Sequence, residues 1–267
     1  MAKLGVIGGG VMAEAIVSRL IEQQQYAPPE ILISDPVAER RGFLTQTYGV
    51  TTTQDNGEVA QSEVLLLAIK PQVFAVITEE LHSIVHPEGQ LVLSILAGVP
   101  LSKLDSGLPR RAILRAMPNT PATVGAGITA LAAGAMVTPE QMETAQHLFG
   151  AIGDVVVVPE SLMDAVTGLS GSGPAYVALL VEALADGGVA AGLPRTIAQQ
   201  LALQTVRGTA ELLQVTQRHP AVLKDQVCSP GGTTIAGVKA LENRGFRAAV
   251  MDAVQAAAQR SKELGNS

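Results

Sequence analysis

The sequence predicts an α/β domain built on a parallel sheet, followed by an all-α helical domain. Two observations support this prediction. Short apolar runs alternate with helical patterns through the first part of the chain, as expected for strands joined by crossover helices. From about Ser161 the pattern is helical almost to the end. We place the boundary near Pro159, which gives an α/β domain of residues 1–159 and a helical domain of residues 160–267.

The composition narrows the classes of function. Hydrophobic residues make up 47% of the 267 residues, so the core can be large and apolar surface is left for a partner subunit. A net charge of −6 without a basic block argues against nucleic acid as a partner. No uninterrupted apolar run reaches the length of a membrane span, so we expect no membrane partner. Cys228 is the only cysteine, which rules out a disulfide within the chain and fits a reducing cytoplasm.

The first element is a strand, a glycine turn and a helix. Leu4–Ile7 is a short apolar run, and the pattern G-x-G-x-x-A follows at Gly8, Gly10 and Ala13. Gly8 permits the tight turn, Gly10 lets a pyrophosphate approach the backbone, and Ala13 lets the helix lie close to the sheet. The amides and the dipole of the helix start then face the phosphates. This pattern predicts a dinucleotide site; the alternative is a turn whose glycines serve geometry alone.

The second predicted strand, which ends with Ser34 and Asp35, bears on the choice of dinucleotide. Asp35 falls where an acidic residue binds the adenosine ribose hydroxyls. The alternative is that Asp35 caps a helix whose first residue is Pro36. Ser34, Arg40 and Arg41 are close enough along the chain to receive a 2′-phosphate instead. These residues therefore leave NADH and NADPH both open.

Further apolar runs predict the rest of the sheet. Glu63–Lys70 is typical of a central parallel strand that is buried on both faces. Its end falls at the ligand edge of such a sheet, where Lys70 would contact cofactor phosphate or ribose; the alternative is a solvated charge. A proline-bracketed loop at Met117–Pro121 cannot continue a strand or a helix. The other predicted strands cover residues 91–95, 112–116, 128–132 and 154–158, with a helix over residues 139–149.

The helical half contains one very apolar helix and several turns. Tyr176–Ala191 carries no charge except Glu182 and Asp186, which predicts burial in a core or between subunits. Tyr176 itself would serve as a hydrogen-bond donor or as a core aromatic residue. Turn signals stand at residues 168–174, 192–194, 219–220 and 229–232.

A second glycine-rich loop, residues 227–237, carries a candidate anion site. It offers serine and threonine hydroxyls, together with free amides at the start of a helix, which suit a small carboxylate. The alternative is an ordinary N-cap and turn. Cys228 in this loop would act as a nucleophile or, more simply, pack as a small residue.

Other chemistries find little support. His82 and His86 stand four residues apart, but Pro87 ends the segment and no further ligand follows, so we expect helix-surface histidines and no metal site. The sequence around Ser172 is not the nucleophile elbow of a serine hydrolase, and no His and Asp partners can be assigned to it.

Several motifs spread over nearly the whole chain resemble those of the pyrroline-5-carboxylate reductase family. The combination of GLSGSGPAY, ADGG and SPGGTT is far more specific than the nucleotide motif. The resemblance implies an N-terminal Rossmann-like domain and helical domains that interlock in dimers, assembled as a pentamer of dimers. The matching stretches are residues 7–12, 68–72, 117–121, 168–176, 183–194 and 224–234.

The resemblance also implies roles for residues. The cofactor would be NADPH, with NADH as an alternative. Thr234 would be the catalytic residue, because it would reach the ring nitrogen of the substrate. Gln226 stands where many members of the family have Asn, and Asp35 is not the residue expected of a strict NADP enzyme. The implied substrate-binding residues are Ser229, Gly231, Gly232, Thr233 and Thr234. The candidate cofactor-binding residues, with Asp35 included, are Ile7, Gly8, Gly9, Gly10, Val11, Met12, Ser34, Asp35, Asn56, Ala68, Ile69, Lys70, Pro71 and Ala97.

The implied reaction is hydride transfer from the nicotinamide to C5 of Δ1-pyrroline-5-carboxylate, giving L-proline. Two rivals stay open. A β-hydroxyacid dehydrogenase on the same plan would need a lysine base, for which Lys224 is the nearest candidate. A cofactor-sensing protein would bind the dinucleotide without oxidising it.

Overall fold

The computed structural model describes residues 2–265. Its contacts divide the chain into a first unit, residues 2–172 with 256–265, and a second unit, residues 173–255. Residues 160–172 group with the sheet because Met163 is fully buried against Ala130 and Ala132. The sequence-based boundary near Pro159 stays a prediction.

Within the described residues, eight strands form one sheet in the order β3-β2-β1-β4-β5-β6-β7-β8. Every neighbouring pair is parallel except β6 with β7, which is antiparallel. Six strands therefore have the arrangement of a dinucleotide-binding fold, and two extend it. The strands are β1 Leu4–Ile7, β2 Ile31–Ser34, β3 Thr51–Thr53, β4 Val64–Leu67, β5 Leu91–Ser94, β6 Ala112–Met117, β7 Gly127–Ala133 and β8 Gly153–Val157.

Both faces of the central strands are buried, which explains their continuous apolar sequences. Successive side chains of a strand point to opposite faces, so Leu66 joins one hydrophobic cluster while Leu65 and Leu67 join the other. Helices cover the two faces. In chain order they are α1 Val11–Glu22, α2 Ala38–Tyr48, α3 Asn56–Val59, α4 Phe74–Leu81, α5 Leu101–Gly107, α6 Pro139–Gly150 and α7 Met163–Val166.

The predicted fold class, an α/β Rossmann-like domain with a helical C-terminal region, is confirmed. The seven predicted strands and the helix over residues 139–149 are all present. The sequence analysis missed β3. This strand has only three residues, all threonine, and pairs with β2 at the edge of the sheet, so no apolar run announces it.

The second unit is helical and has a very small core of its own. Among its described residues the buried hydrophobic cluster consists of Ala185, Ala198 and Ala202, with Val181 and Val189 packed against it. Large apolar side chains on the same helices are exposed instead. The helices are α8 Gly173–Ala190, α9 Arg195–Thr216, α10 Pro220–Val227, α11 Thr233–Asn243 and α12 Phe246–Gly265, whose last ten described residues group with the first unit.

The apolar helix α8 is therefore not buried within this chain. Leu179 is 66% exposed, and on α9 Leu203 is 60% exposed, although both are apolar residues on long helices. Of the two predicted locations for this apolar helix, a core or a subunit interface, only the interface agrees with these exposures.

One helix among the described residues has the length and hydropathy to cross a membrane, although the sequence has no uninterrupted apolar run of that length. It runs continuously over Glu160–Ala190, and only 6% of its most apolar 18-residue window is buried. Length and composition are weak grounds, because the core helix of a soluble protein satisfies the same criteria. The absence of a membrane partner therefore stays a prediction. The predicted turn at residues 168–174 is wrong, because this helix passes through them.

Candidate functional site

The loops that follow four neighbouring strands are joined at the carboxyl edge of the sheet. The Gly8 amide donates to the Ser34 carbonyl at 2.8 Å, and the Ala68 amide donates to the Ile7 carbonyl at 2.9 Å. The Ile95 amide in turn donates to the Leu67 carbonyl at 3.1 Å. Ends of neighbouring parallel strands are where such sheets bind ligands, so the loops after β1, β2, β4 and β5 form a candidate cofactor edge.

The conformation of the glycine loop at this edge depends on glycine having no side chain. Gly8 has φ +97°, and a Cβ at Gly8 would lie 2.6 Å from the Ala68 carbonyl oxygen. A Cβ at Gly9 would lie 2.8 Å from Leu44 Cδ1. A Cβ at Gly10 meets no protein atom within 4 Å. Gly8 is thus required by the fold, a side chain at Gly9 would displace Leu44, and the space beside Gly10 is open to a ligand.

Helix α1 begins at this open space. Gly10 is its N-cap, with φ −68° and ψ −176°, and no side chain caps the helix. The amides of Val11, Met12 and Ala13 hydrogen-bond no described residue. Free amides, the positive end of the helix dipole and the open space beside Gly10 fit the pyrophosphate of a dinucleotide.

Asp35 uses one carboxylate oxygen to hold the glycine loop and the other to hold its own loop. Oδ2 accepts from the Gly9 amide and Oδ1 accepts from the Val37 amide, each at 2.9 Å. Helix α2 begins at Ala38 with Val37 as its N-cap, so the alternative in which Asp35 caps that helix is wrong. Asp35 instead forms an Asx turn two residues ahead of the N-cap. Ribose binding by Asp35 stays a prediction.

An ion pair that the sequence analysis missed supports the same loop. The Arg40 guanidinium donates to the Gly9 carbonyl and to the Glu14 carboxylate, and Tyr48 donates to the other Glu14 oxygen at 2.7 Å. Burial alone would raise the pKa of Glu14, but the hydrogen bonds from Arg40 and Tyr48 lower it overall. Glu14 therefore stays ionised, and Arg40 offsets its charge near the helix start. The contact spans 26 residues of sequence and no local pattern indicates it.

The other polar candidates of the cofactor edge are differently placed. Ser34 is buried and donates to Asn56 Oδ1 at 2.6 Å, while Asn56 Nδ2 donates to Glu80 at 2.7 Å. Arg41 donates to two carbonyls of its own loop, including that of Asp35 at 2.8 Å. Lys70 is exposed and its side chain pairs with no described residue. Of these groups, Lys70 is the cation left free for a ligand.

The remaining candidates lie on the same edge. Ala68–Pro71 follow β4 directly, and Ala97 follows β5 in an exposed turn. Gly98, next to Ala97, has φ +76° and makes that turn possible. The structure thus brings the cofactor-binding candidates together on loops of one sheet edge.

The second glycine loop connects α10 to α11. Gly231 has φ +67°, and the Gly232 amide donates to the Ser229 carbonyl at 3.0 Å, which closes a tight turn. Gly232 is the N-cap of α11, with φ −78° and ψ 176°, and no side chain caps the helix. The amides of Thr233 and Thr234 hydrogen-bond no described residue. The candidate substrate residues thus form one loop that presents free amides and hydroxyls.

Side chains around this loop bear on the rival functions. Thr234 is half-buried, and its hydroxyl hydrogen-bonds no described residue. Gln226 accepts from Arg218 at 2.9 Å. Lys224 pairs with Asp225 at 2.8 Å, and that hydrogen bond and charge raise the pKa of Lys224. A raised pKa keeps the ammonium protonated, which does not suit the base that a β-hydroxyacid dehydrogenase would need.

The GLSGSGPAY motif forms a π-helical turn rather than the predicted loop. Thr167–Gly171 is π-helical, and the Ser172 amide donates to the Thr167 carbonyl at 2.9 Å. Pro174 has no N–H for the carbonyl four residues earlier, that of Ser170. Asn119 Nδ2 supplies the missing donor at 3.2 Å, while its Oδ1 accepts from Ile128. Asn119 thus connects the proline-bracketed loop, residues 117–121, to this motif by a hydrogen bond. In the sequence the two segments appear only as separate motifs.

Two other sequence candidates have simple surroundings. The Tyr176 hydroxyl donates to the Ala253 carbonyl at 3.2 Å, so its hydrogen-bonding capacity is met within the second unit. Cys228 is a free, half-buried thiol. No cluster of three metal-binding side chains occurs among residues 2–265.

Two family models and a relative of known sequence match this chain. A family model described as pyrroline-5-carboxylate reductase dimerisation matches residues 160–264. A model described as NADP oxidoreductase, coenzyme F420-dependent, matches residues 3–98. The pyrroline-5-carboxylate reductase of Synechocystis sp. is 61% identical over 264 residues, which cover 98% of each chain.

Solved structures agree with this assignment. A pyrroline-5-carboxylate reductase from Coxiella burnetii has a TM-score of 0.91 at 38% identity, with 98% of each chain covered. The Plasmodium falciparum pyrroline carboxylate reductase, solved with NADP bound, has a TM-score of 0.87 at 30% identity, covering 99% of this chain and 98% of that chain.

Proposed function

The chain belongs to the pyrroline-5-carboxylate reductase family, and on that premise we propose how its residues hold the two reactants. The protein is an NAD(P)H-dependent oxidoreductase that reduces the C=N bond of Δ1-pyrroline-5-carboxylate to give L-proline. The observation that supports the proposal best is a shared design. Helices α1 and α11 both begin at an uncapped glycine with free amides.

The start of α1 holds the cofactor. The Val11 and Met12 amides bind the pyrophosphate beside Gly10, where no side chain stands in the way. Lys70, whose side chain pairs with no described residue, contacts phosphate or ribose oxygens. The remaining contacts come from the backbone of Ile7–Gly9, Ala68, Ile69, Pro71 and Ala97, and from Ser34, Asp35 and Asn56.

The start of α11 holds the substrate. The Thr233 and Thr234 amides, which follow the N-cap Gly232, face the carboxylate, for which the helix dipole provides a favourable charge. Ser229 and Gly231 shape the turn that exposes those amides. Thr234 Oγ1 hydrogen-bonds the ring nitrogen as the nitrogen becomes an amine.

Reduction of this C=N bond needs little help from acidic or basic side chains. The cyclic C=N bond is most reactive when protonated, and bound NAD(P)H supplies the hydride. The contribution of the chain is to hold the reacting groups in register, which is worth up to about 7–11 kcal/mol in well-oriented systems. Restricting water around the substrate loop completes that task.

Self-association follows from the family, because residues 160–264 match its dimerisation domain. The exposed apolar residues of α8 and α9 provide the surface for it. We propose further that the dimers assemble in fives, that the enzyme works in the cytoplasm and that it engages no membrane. The single cysteine favours the reducing compartment.

A cofactor absorbance assay tests the function. We expect NAD(P)H absorbance to decay with pyrroline-5-carboxylate and to stay constant with 2-keto acids. Oxidised cofactor should not be reduced by 2-hydroxy acids. Turnover of those acids instead would support the hydroxyacid dehydrogenase, whereas cofactor binding without any turnover would support the cofactor-sensing protein. Parallel runs with NADPH and NADH measure the cofactor preference.

A further inference from the structure

A cavity lies at the edge of the sheet opposite the candidate cofactor edge. Strands β5 and β6 are parallel, and Gln90 and Arg111 directly precede them, so both residues lie at the amino ends of the strands. The cavity has a volume of about 370 Å³ and is lined by the segments after α4 and after α5. None of the candidate cofactor or substrate residues lines it.

The ionisable side chains that line the cavity are all basic. The cavity is lined by Arg110, Arg111, His82 and His86, together with Ser83 and apolar or backbone groups, and by no carboxylate of a described residue. This is unusual in a chain whose net charge is −6. An adjoining groove that shares His82 and Ser83 does contain a carboxylate, that of Glu79, so the cationic character belongs to the arginine side.

Arg111 is a buried charge without a counter-charge. Arg111 is only 6% exposed, and its guanidinium forms no ion pair with a described residue. Its one hydrogen bond runs from Nη1 to Gln90 Oε1 at 3.1 Å. Burial lowers the pKa of the guanidinium, yet arginine remains charged at neutral pH. Buried charges are ordinarily paired, so an anion at this place would supply what the chain lacks.

The surroundings fix the guanidinium in place. Gln90 is itself buried, and its Nε2 donates to the Ala60 and Ser62 carbonyls at 2.7 and 2.6 Å, which turns Oε1 toward Arg111. The other guanidinium nitrogens of Arg111 donate to no described residue, and they are not sealed from the cavity. Arg110 has φ +62°, a left-handed conformation that a non-glycine residue adopts at a cost and that recurs at binding sites.

We propose that this cavity binds a phosphate group, either as free phosphate or as the phosphomonoester of a small metabolite. A planar guanidinium fork matches phosphate oxygens in pairs, and Arg110 and the two histidines add donors around the same space. The volume lies in the range of small-molecule sites. Because the cavity is at the opposite edge of the sheet, the anion and the dinucleotide bind at the same time.

Calorimetric titration of the full-length enzyme tests the proposal. The protein is first saturated with NADP⁺, which occupies the other phosphate-binding edge, and ionic strength is matched with chloride. One arm uses inorganic phosphate and the other glycerol 3-phosphate. We expect saturable binding in at least one arm, at least about tenfold weaker in Arg111→Gln. Tighter binding of the ester indicates a metabolite, and the reverse indicates free phosphate.

Two further variants keep the test decisive if Arg111→Gln fails to fold. Arg110→Gln changes an exposed side chain at the same cavity and should weaken phosphate binding severalfold. Lys103→Gln removes the same charge from the exposed surface of α5, outside the lining, and should leave binding unchanged. Binding no stronger than that of chloride, or equal affinities in Arg110→Gln and Lys103→Gln, would overturn the proposal.

Discussion

The starts of α1 and α11 are nearly the same local structure in very different surroundings. Their N-cap glycines differ by only 10° in φ, at −68° and −78°, and neither helix has a side-chain cap. Helix α1 buries five of its twelve residues, with Ile16 and Leu20 among them, in the core of the first unit. Helix α11 buries none of its eleven described residues.

This difference separates what one chain can do alone from what it cannot. The α1 start is fixed by its own sheet, by Asp35 and by the pair of Glu14 with Arg40. The α11 start has no such support from residues 2–265, and its helix exposes Ile235 and Leu241. We therefore expect cofactor binding to be a property of the single chain, and substrate binding to require the dimer. Substitutions at the two helix starts can test each half separately.

Gly10→Val should remove cofactor binding. The valine side chain would fill the open space that the pyrophosphate needs, without touching any protein atom within 4 Å of its Cβ. We expect NADPH affinity to fall by at least about 100-fold in a fluorescence titration, with an unchanged unfolding curve. Gly42→Val is the matched control, because its Cβ is also in open space. Near-normal NADPH affinity in Gly10→Val would place the cofactor elsewhere.

Gly8→Ala should instead lower stability. The alanine would be held at φ +97° with its Cβ 2.6 Å from the Ala68 carbonyl oxygen. We expect a loss on the order of 3 kcal/mol in the free energy of unfolding, measured by urea denaturation. Gly10→Ala in the same loop should change that free energy by less than about 0.5 kcal/mol. Equal effects of the two substitutions would contradict the assigned geometry.

Thr234→Ala should weaken the reaction and spare the cofactor. We expect kcat/KM for pyrroline-5-carboxylate to fall about 10- to 100-fold, a loss of about 1.4–2.8 kcal/mol, while NADPH affinity hardly changes. Thr234→Ser keeps the hydroxyl and should recover most of the rate. Steady-state kinetics with cofactor titration measures both quantities. An unaltered kcat/KM in Thr234→Ala removes this residue from the mechanism.

Glu14→Gln should have the smallest effect. The folded-state pKa of Glu14 is lowered, so its stabilisation is present at neutral pH and is lost as the pH falls through that lowered value. We expect the variant to lose about 0.5–1 kcal/mol of stability near pH 7, and the difference to shrink as the pH falls below the ordinary pKa of a glutamate. Urea denaturation at several pH values measures this difference. Glu22→Gln, which breaks an exposed pair with Arg19, should change little, and similar losses in both variants would argue against a special role for Glu14.

Sequence reasoning recovered the parts of the molecule that have a local signature. Continuous apolar runs gave seven strands, and the glycine spacing gave the α1 start. It could not recover contacts between residues far apart in sequence. The pair of Glu14 with Arg40 and the bond from Asn119 to the Ser170 carbonyl belong to this class, because neither partner has a pattern that points to the other. The Arg111 cavity depends in the same way on how distant segments pack.

Two errors have a different origin. The sequence around Ser172 is rich in glycine and contains Pro174, which ordinarily marks a turn. The helix continues because a π-helical turn precedes the proline and because Asn119 donates to the Ser170 carbonyl, which the proline leaves without a donor. Similarly, β3 is polar and lies at the sheet edge, where pairing with β2 outweighs the lack of an apolar pattern.

The most direct test is a crystal structure of the enzyme with NADP⁺ and L-proline. We expect the pyrophosphate on the Val11 and Met12 amides beside Gly10. We also expect the proline carboxylate on the Thr233 and Thr234 amides, with the ring nitrogen near Thr234 Oγ1 and C5 facing the nicotinamide. Density for proline away from the α11 start, or a nicotinamide that cannot reach proline in any subunit of the assembly, would contradict this placement of the two reactants.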